Sequence, residues 1–150
     1  MAALSQTPTY LKSNMSFTFD DVLFEAYPPL KEVYAEEDND YSIVISVTHG
    51  ANKFLYAGDA EKERIGELYS QIDDLAHAFL KVPHHGVYNK ATTKFIQTVA
   101  PKYAVITCGK NDPPDDETIQ ALANIGCQVY LTPEGAVTAV SDGSTITVTQ

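Results

Sequence analysis

Two short motifs carry the side chains of this chain that could bind a metal. Gly58-Asp59 follows the apolar residues 55–57, and His84-His85-Gly86 follows residues 80–83. Each motif therefore comes directly after a short, strand-like apolar run. Ligands of open α/β sheets lie beyond the carboxyl ends of the strands, so we expect both motifs at one sheet edge. Carboxylate oxygen and imidazole nitrogen together suit zinc, iron or manganese.

The chain has four histidines, and their positions favour different roles. Backbone alternation turns the neighbours His84 and His85 towards opposite sides, which favours a functional role for at least one of them. His49 falls in a predicted hairpin turn and His77 between a helix and a strand, so both are expected at the surface. Asp59 has a structural alternative, because aspartate commonly caps the first turn of a helix.

Common sequence signatures of other catalytic or nucleotide-binding sites are absent from the chain. The sequence contains no HxH, HExxH, GxSxG, GxGxxG or P-loop pattern. A structural zinc has four protein ligands, and a catalytic zinc typically has three and a water. From the residues alone, Asp59, His84 and His85 remain candidates for a mononuclear metal site.

The elements that must position these residues follow from hydrophobic periodicity and turn signals. Strands are predicted at residues 17–26, 41–48, 53–57, 79–82, 103–107, 128–131, 136–140 and 145–149. Helices are predicted from Asp59 to Ile72, at 91–99 and at 115–125, and residues 31–40 form an acidic surface loop. This order predicts an α/β (α+β) fold with one mixed sheet and helices mainly on one face. If the chain is half of a larger sandwich, the other face is apolar and needs a partner.

Composition limits the classes of function. The chain has 150 residues and a net charge of −10, with no Lys/Arg cluster, so we expect no direct electrostatic binding of nucleic acid. No signal peptide and no membrane segment are visible, and the default prediction is a soluble, cytoplasmic protein unless sequence precedes Met1. Cys108 and Cys127 are predicted to be buried thiols, with a disulfide between them left open.

The ordered motifs resemble a known family. Residues 41–45, 53–61 and 80–86, followed by 101–107 and 129–135, are similar to the C-terminal half of the metallo-β-lactamase-fold hydrolases. The nearest branch looks like the domain of the ComEC-type DNA-internalisation competence proteins and its stand-alone relatives. The resemblance implies half of an αββα sandwich in residues 17–150, after an irregular lead-in at 1–16.

The resemblance also implies roles for individual residues. In such enzymes the Asp of the Gly-Asp motif bridges two metals, which here is Asp59. The histidine after the next strand binds one metal, for which His84 is the first choice and His85 its neighbour. The metal lowers the pKa of a bound water, and the resulting hydroxide attacks the substrate. The implied cofactor is a divalent cation, zinc first and manganese or iron as alternatives, and the implied substrate is a phosphodiester or nucleotide.

Several departures from the family pattern limit what this chain can do alone. The HxHxDH signature that supplies most ligands belongs to the N-terminal half, and no HxH occurs here. Val87 stands where the branch usually has serine, residues 109–114 lack a histidine, and residues 75–78 lack a carboxylate. One hypothesis is therefore a hydrolase portion completed by a missing N-terminal half, inactive alone and without bound metal. The alternative is a non-catalytic binding or assembly module that forms a homodimer.

Overall fold

The chain folds around one mixed sheet, with a separate hairpin at its C-terminal end. The structure is a computed structural model and describes residues 10–35 and 38–150. The sheet contains β1 (Met15–Phe19), β2 (Val22–Tyr27), β3 (Val44–His49), β4 (Asn52–Tyr56), β5 (Phe79–Lys81), β6 (Tyr103–Ile106) and β7 (Gln128–Leu131). The hairpin is β8 (Thr138–Ser141) and β9 (Ile146–Thr149), and the helices are α1 (Lys62–Gln71), α2 (Thr92–Val99) and α3 (Asp116–Asn124). The predicted fold class is confirmed.

The seven strands of the sheet lie side by side in the order of the sequence. From β1 to β4 each neighbouring pair is antiparallel, and from β4 to β7 each pair is parallel. Parallel neighbours need a long crossover, and α1, α2 and α3 supply the three crossovers. The carboxyl ends of β4, β5, β6 and β7 therefore meet at the same edge of the sheet.

The main core lies between the helices and one face of the sheet. Alternation along the strands sends Leu55, Leu80 and Ala104 to this face, where all three are fully buried. The helices contribute apolar side chains at helical spacing to the same cluster, among them Ile65, Leu68, Phe95, Ile96, Val99 and Leu122. This is the face that the sequence assigns to the helices.

The opposite face is covered over only part of its width. Under the β8–β9 hairpin, Phe54, Phe79, Val105 and Tyr130 form a second buried cluster. Hairpin and neighbouring side chains close this cluster from outside, namely Val137, Ala139, Ile146 and Val148. The prediction that this whole face needs a partner is therefore wrong for β4–β7, because the chain's own hairpin packs there.

Over β1–β3 the same face stays open. We call this surface the exposed apolar face; it consists of Met15, Phe17, Phe19, Phe24, Ile43 and Ile45. Phe19 is 70% exposed and Phe17 is 53% exposed. The Phe17 ring stacks on Phe24 with the ring centroids 5.0 Å apart. For this part of the sheet the prediction of an uncovered apolar face is confirmed.

The predicted strand at 17–26 is in fact a hairpin. β1 ends at Phe19, β2 begins at Val22, and the turn between them places Asp20 in the left-handed region with φ 51°. The register pairs Phe19 with Val22, so apolar side chains of both strands point to the exposed apolar face. The alternation changes phase between Phe19 and Val22, and that change was the available signal for a turn.

The predicted start of the first helix is also wrong. Asp59 lies outside α1, which begins at Lys62. The capping carboxylate comes instead from Asp40, whose Oδ1 accepts the backbone N–H groups of Glu61 at 2.8 Å and Arg64 at 3.1 Å. A charged acceptor at these free N–H groups stabilises the first turn of the helix.

The region predicted as an acidic surface loop is partly buried. Tyr34 is 2% exposed and Asp40 is fully buried, while residues 36–37 lie outside the described residues. A single 3-10 turn at Asn39–Tyr41 ends this region and delays the start of β3 to Val44, three residues later than predicted.

The cysteines differ from the prediction in burial. Cys108 and Cys127 are both free and only half-buried. Burial still raises the pKa of the Cys127 thiol to about 11. Residues 1–9 of the predicted lead-in lie outside the described residues, and β1 already begins at Met15. Within the described ranges, no helix is long and apolar enough to cross a membrane.

Candidate functional site

The two predicted motifs meet at the carboxyl edge of β4 and β5. Parallel pairing sets Leu55 beside Leu80, so the residues that follow the two strands leave the sheet together. A backbone hydrogen bond from His84 N to Gly58 O, 3.2 Å long, joins the two motifs directly. The sheet topology therefore brings the carboxylate of the first motif close to the imidazoles of the second.

Asp59 is held on both its backbone and its side chain. Its N–H donates to Ser42 Oγ at 3.0 Å, and its Oδ1 lies 3.3 Å from the Lys81 ammonium. Lys81 also donates to Gly58 O at 2.7 Å, which fixes the ammonium beside the carboxylate. The Asp59 side chain remains 40% exposed, so one side of the carboxylate is open to a ligand.

The two histidines sit in a strained turn. His84 (φ 43°), His85 (φ 53°) and Gly86 (φ 84°) are three consecutive left-handed residues. Each non-glycine residue in this region costs on the order of 1–3 kcal/mol. A Cβ at Gly86 would come within 2.5 Å of Pro114 Cβ, so only glycine fits there. This backbone conformation sets the direction in which the two imidazoles leave the turn. Strained residues of this kind are common at functional sites.

His85 presents a free nitrogen to Asp59. Its Nδ1–H donates to the carbonyl of Thr107, which leaves a lone pair on Nε2. That Nε2 lies 3.6 Å from Asp59 Oδ1. A proton on Nε2 or a cation between the two atoms would make this contact attractive. Metal-binding histidines are commonly oriented by such a backbone hydrogen bond on the other ring nitrogen.

His84 is engaged elsewhere. Its Nδ1 lies 2.9 Å from Glu61 Oε1, and its Nε2 lies 3.4 Å from the side-chain amide of Asn39. Asn39 in turn donates to Glu61 Oε1 at 2.8 Å. The structure therefore brings Asp59 together with His85, whereas His84 joins a neighbouring group with Glu61 and Asn39.

The described residues offer few metal donors at this edge. Among residues 10–35 and 38–150, no group of three or more His, Cys, Asp or Glu side chains is arranged to hold a metal ion. Asp59 and His85 supply two converging donors, and a catalytic zinc needs three from protein. The described residues therefore do not form a complete zinc site by themselves.

Sequence reasoning missed several residues that shape this edge. Lys81 is the lone charge inside the apolar run of β5, and this position was the signal for a special role. Glu61 lies directly before α1, and its carboxylate contacts His84. Asn39 carries no signal in the sequence, because a 3-10 turn more than forty residues away in the chain brings it to His84.

The other two histidines lie away from this edge. His77 is 3% exposed, so the prediction of a surface position is wrong. It is buried because its two ring nitrogens find partners in Ser46 Oγ and Leu75 O, both at 2.9 Å. His49 ends β3, is half-buried, and contacts Asp21 and Ser141.

Comparison with known proteins identifies a relative among competence proteins. The chain is 30% identical over 117 residues to ComE operon protein 3 of Bacillus subtilis (strain 168), a match that covers 76% of this chain and 15% of that protein. The chain thus spans about 15% of the length of the relative that it matches. No family model matches the chain. The similarity supports the predicted relation to competence proteins and leaves the metallo-β-lactamase fold as an expectation.

Proposed function

We propose that this chain is the C-terminal part of a metal-dependent hydrolase domain of the metallo-β-lactamase fold. In this proposal the chain contributes one side of a metal site that acts on a phosphodiester or nucleotide, and it is inactive alone. The similarity to a segment of a much longer protein is compatible with a portion of a larger domain. The exposed apolar face is compatible with a second half that packs there, since monomers rarely leave such a surface open.

One observation carries the proposal: His85 Nε2 and Asp59 Oδ1 face each other as two acceptors. A divalent cation between them would relieve this arrangement, and oxygen and imidazole donors suit zinc. We therefore favour Asp59 and His85 as the donors from this chain. His84, the first choice from the motif, would then position the turn through its contact with Glu61.

The chain's own residues have separable roles in this proposal. Thr107 O fixes the ring of His85, and Ser42 Oγ fixes the backbone of Asp59. Lys81 neutralises Asp59 and so stabilises the edge before a cation binds. The metal, when bound, would supply a hydroxide nucleophile and polarise the phosphoryl oxygen. Because the chain has a net charge of −10, its own surface repels an anionic substrate. In this proposal the metals and the other half of the domain therefore bind the substrate.

Calorimetric titration with Zn²⁺ and Mn²⁺ tests the proposal. The chain is titrated alone and after mixing with the segment that precedes the matched region in ComE operon protein 3. We expect tight binding and hydrolysis of bis-p-nitrophenyl phosphate only in the mixture, with both lost in Asp59→Ala and His85→Gln. His49→Gln is the matched control, because His49 lies at the other end of β3. A mixture that forms a complex but binds no metal contradicts the proposal.

The ion pair of Lys81 with Asp59 favours a second candidate function. Lys81 Nζ at 3.3 Å satisfies the carboxylate without a metal. A homodimeric, non-catalytic binding or assembly module would then use the exposed apolar face for pairing. Sedimentation equilibrium separates the two: this candidate requires a metal-free dimer of the chain alone, and a stable monomer contradicts it.

A further inference from the structure

A polar pocket of about 350 Å³ lies on the helix-side face of the sheet, over β1–β3 and beside the end of α1. Ser16, Glu25 and Ser46 are cross-strand neighbours on this face and line the pocket. Lys53 from β4 and His77, which precedes β5, also line the pocket. We call the carboxyl edge of β4 and β5 with Asp59 and His85 the metal edge. None of its residues lines this pocket, so the two sites are separate.

His77 is oriented as a base. Its backbone N–H donates to Val99 O at 3.0 Å, which anchors the residue to the end of α2. Its Nδ1 lies 2.9 Å from Leu75 O, and since a carbonyl can only accept, the proton is on Nδ1. The lone pair on Nε2 then accepts the hydroxyl proton of Ser46 at 2.9 Å. Hydrogen bonds thus connect a potential nucleophile (Ser46 Oγ), a base (His77) and a group that orients the base (Leu75 O).

The protonation state of His77 suits this role. Burial lowers the pKa of its imidazole below the ordinary 6.5, with the charge of Lys53 acting in the same direction. The hydrogen bond to Leu75 O and the charges of Asp74 and Glu25 act in the opposite direction without reversing the shift. At neutral pH the ring is therefore neutral and able to accept a proton.

A second serine–histidine pair shows what a structural contact looks like in the same chain. Ser141 Oγ lies 3.0 Å from His49 Nδ1, and Asp21 lies 3.3 Å from the other ring nitrogen. However, Ser141 Oγ also accepts hydrogen bonds from Asn52 Nδ2 at 2.8 Å and Gly143 N at 3.2 Å. Both its lone pairs are used, and the group anchors the β8–β9 hairpin.

Ser46 differs from Ser141 in the two respects that matter for reactivity. Among the described residues, His77 is the hydrogen-bond partner of Ser46 Oγ, so the oxygen lone pairs are not engaged by donors. Ser46 also lines the pocket, although only 3% of the residue is exposed. A hydroxyl with free lone pairs beside a neutral base is activated for attack.

We propose that Ser46 and His77 form a nucleophile–base pair that cleaves a small ester or thioester with a neutral or positively charged acyl group. Ser46 Oγ attacks the carbonyl carbon and its proton passes to His77 Nε2, which returns it to the departing alcohol or thiol. Water then attacks the acyl–Ser46 ester, gives its proton to His77, and the carboxylic acid leaves as Ser46 regains the proton.

The charges of the pocket set the substrate class. Lys53 lines the pocket and pairs with Asp74 at 2.7 Å. In this proposal its positive charge is the group that stabilises the developing oxyanion. Glu25, Asp73 and Asp74 outnumber it, so the lining carries a net negative charge. The pocket therefore rejects carboxylate- and phosphate-bearing esters and accepts neutral or amine-bearing ones.

A fluorophosphonate probe on the full chain, followed by peptide mass mapping, tests the assignment. We expect labelling of Ser46, its loss in Ser46→Ala, and its retention in Ser141→Ala, the matched control. His77→Gln should slow labelling about 100-fold, since a general base typically contributes 10²–10⁴-fold. A chelator should change nothing, which separates this site from the metal edge. Absence of label on Ser46 in the folded chain overturns the proposal.

A second variant keeps the test decisive if Ser46→Ala or His77→Gln unfolds. Ser46→Cys places a thiol beside the same imidazole, and iodoacetamide at pH 7 should modify it before Cys127, whose thiol pKa is about 11. Adding His77→Gln to Ser46→Cys should remove that advantage. Equal rates with and without His77 contradict the proposal. p-Nitrophenyl acetate should be hydrolysed faster than p-nitrophenyl hemisuccinate, and the reverse order contradicts the substrate class.

Discussion

Replacing Arg64 with methionine should destabilise the whole chain severely. The side chain of Arg64 is completely buried, and its guanidinium makes four hydrogen bonds. It donates to the carbonyls of Ser42 at 3.0 Å and Tyr27 at 2.7 Å. It also donates to Gln71 at 2.7 Å and forms an ion pair with Glu67 at 3.2 Å. This one residue therefore ties α1 to β2 and to the segment before β3.

The magnitude follows from what the substitution leaves behind. Methionine fills a similar volume but leaves the buried carboxylate of Glu67 without its cation, and breaking a buried pair in this way costs about 3–5 kcal/mol. In a chain of this size each kcal/mol lowers Tm by about 2–4 °C, so a fall of about 6–20 °C is expected. Arg64→Met/Glu67→Gln should recover part of the loss. The amide oxygen can accept from Leu30 N, the amide NH₂ can donate to the Tyr34 hydroxyl, and the unpaired charge is gone.

Urea denaturation followed by circular dichroism measures both variants. Lys62→Met is the matched control, because Lys62 is exposed in the same helix and its loss should change stability by about 0.5 kcal/mol or less. The reasoning is refuted if Arg64→Met costs no more than Lys62→Met. It is also refuted if the double variant is less stable than Arg64→Met, since the unpaired carboxylate would then not be the cause.

Three further predictions concern other parts of the chain. Gly50→Ala should lower the free energy of unfolding by about 1–3 kcal/mol or more, because the Gly50 φ is +58° and a Cβ there would lie 2.3 Å from Gly143 O. Gly66→Ala should raise it by about 0.5–1 kcal/mol in the same urea denaturation assay, because Gly66 lies in α1 with open space around its Cα. Hydrogen bonds from Thr145 and Ser144 lower the pKa of Asp142 from 3.8 to about 2. The ionised carboxylate therefore stabilises the fold above pH 3.8, and this stabilisation is lost as the pH falls towards 2. The Tm difference between the wild type and Asp142→Asn should accordingly vanish near pH 2. Phe17→Lys should lower the Tm by a few degrees at most, because the stacking on Phe24 is lost, but it should weaken association through the exposed apolar face in sedimentation. An unchanged association constant would exclude that face as an interface.

Much of the sheet could be predicted because its strands are strongly apolar and bounded by turn residues. β7 occupies the predicted residues 128–131, and β6 ends one residue before the predicted boundary. The helix-side core also followed from periodicity, since residues such as Leu68 and Phe95 recur at helical spacing. The hairpin of β1 and β2 was missed because both arms are apolar and only the phase of alternation marks the turn.

The site was predictable only at the level of which motifs meet. Parallel strands with polar ends imply that Asp59 and the histidines share an edge, and no sequence rule says which imidazole faces the carboxylate. That choice depends on the consecutive left-handed residues His84, His85 and Gly86, the last of which lies too close to Pro114 to carry a Cβ. The burial of His77 was equally hidden, because its partner Ser46 is 31 residues away in the sequence.

The two halves of the sheet differ in how far this chain stabilises them by itself, and that difference bears on the proposed site. Behind β4–β7, the chain's own β8–β9 hairpin buries Phe54 and Phe79, so the strands that carry Asp59 and His85 have cores on both faces. Behind β1–β3 no such cover exists among the described residues. We therefore expect the geometry of Asp59 and His85 to persist without a partner. Absence of metal binding by the isolated chain would then reflect missing ligands, because the strands that position the existing ones are already fully packed.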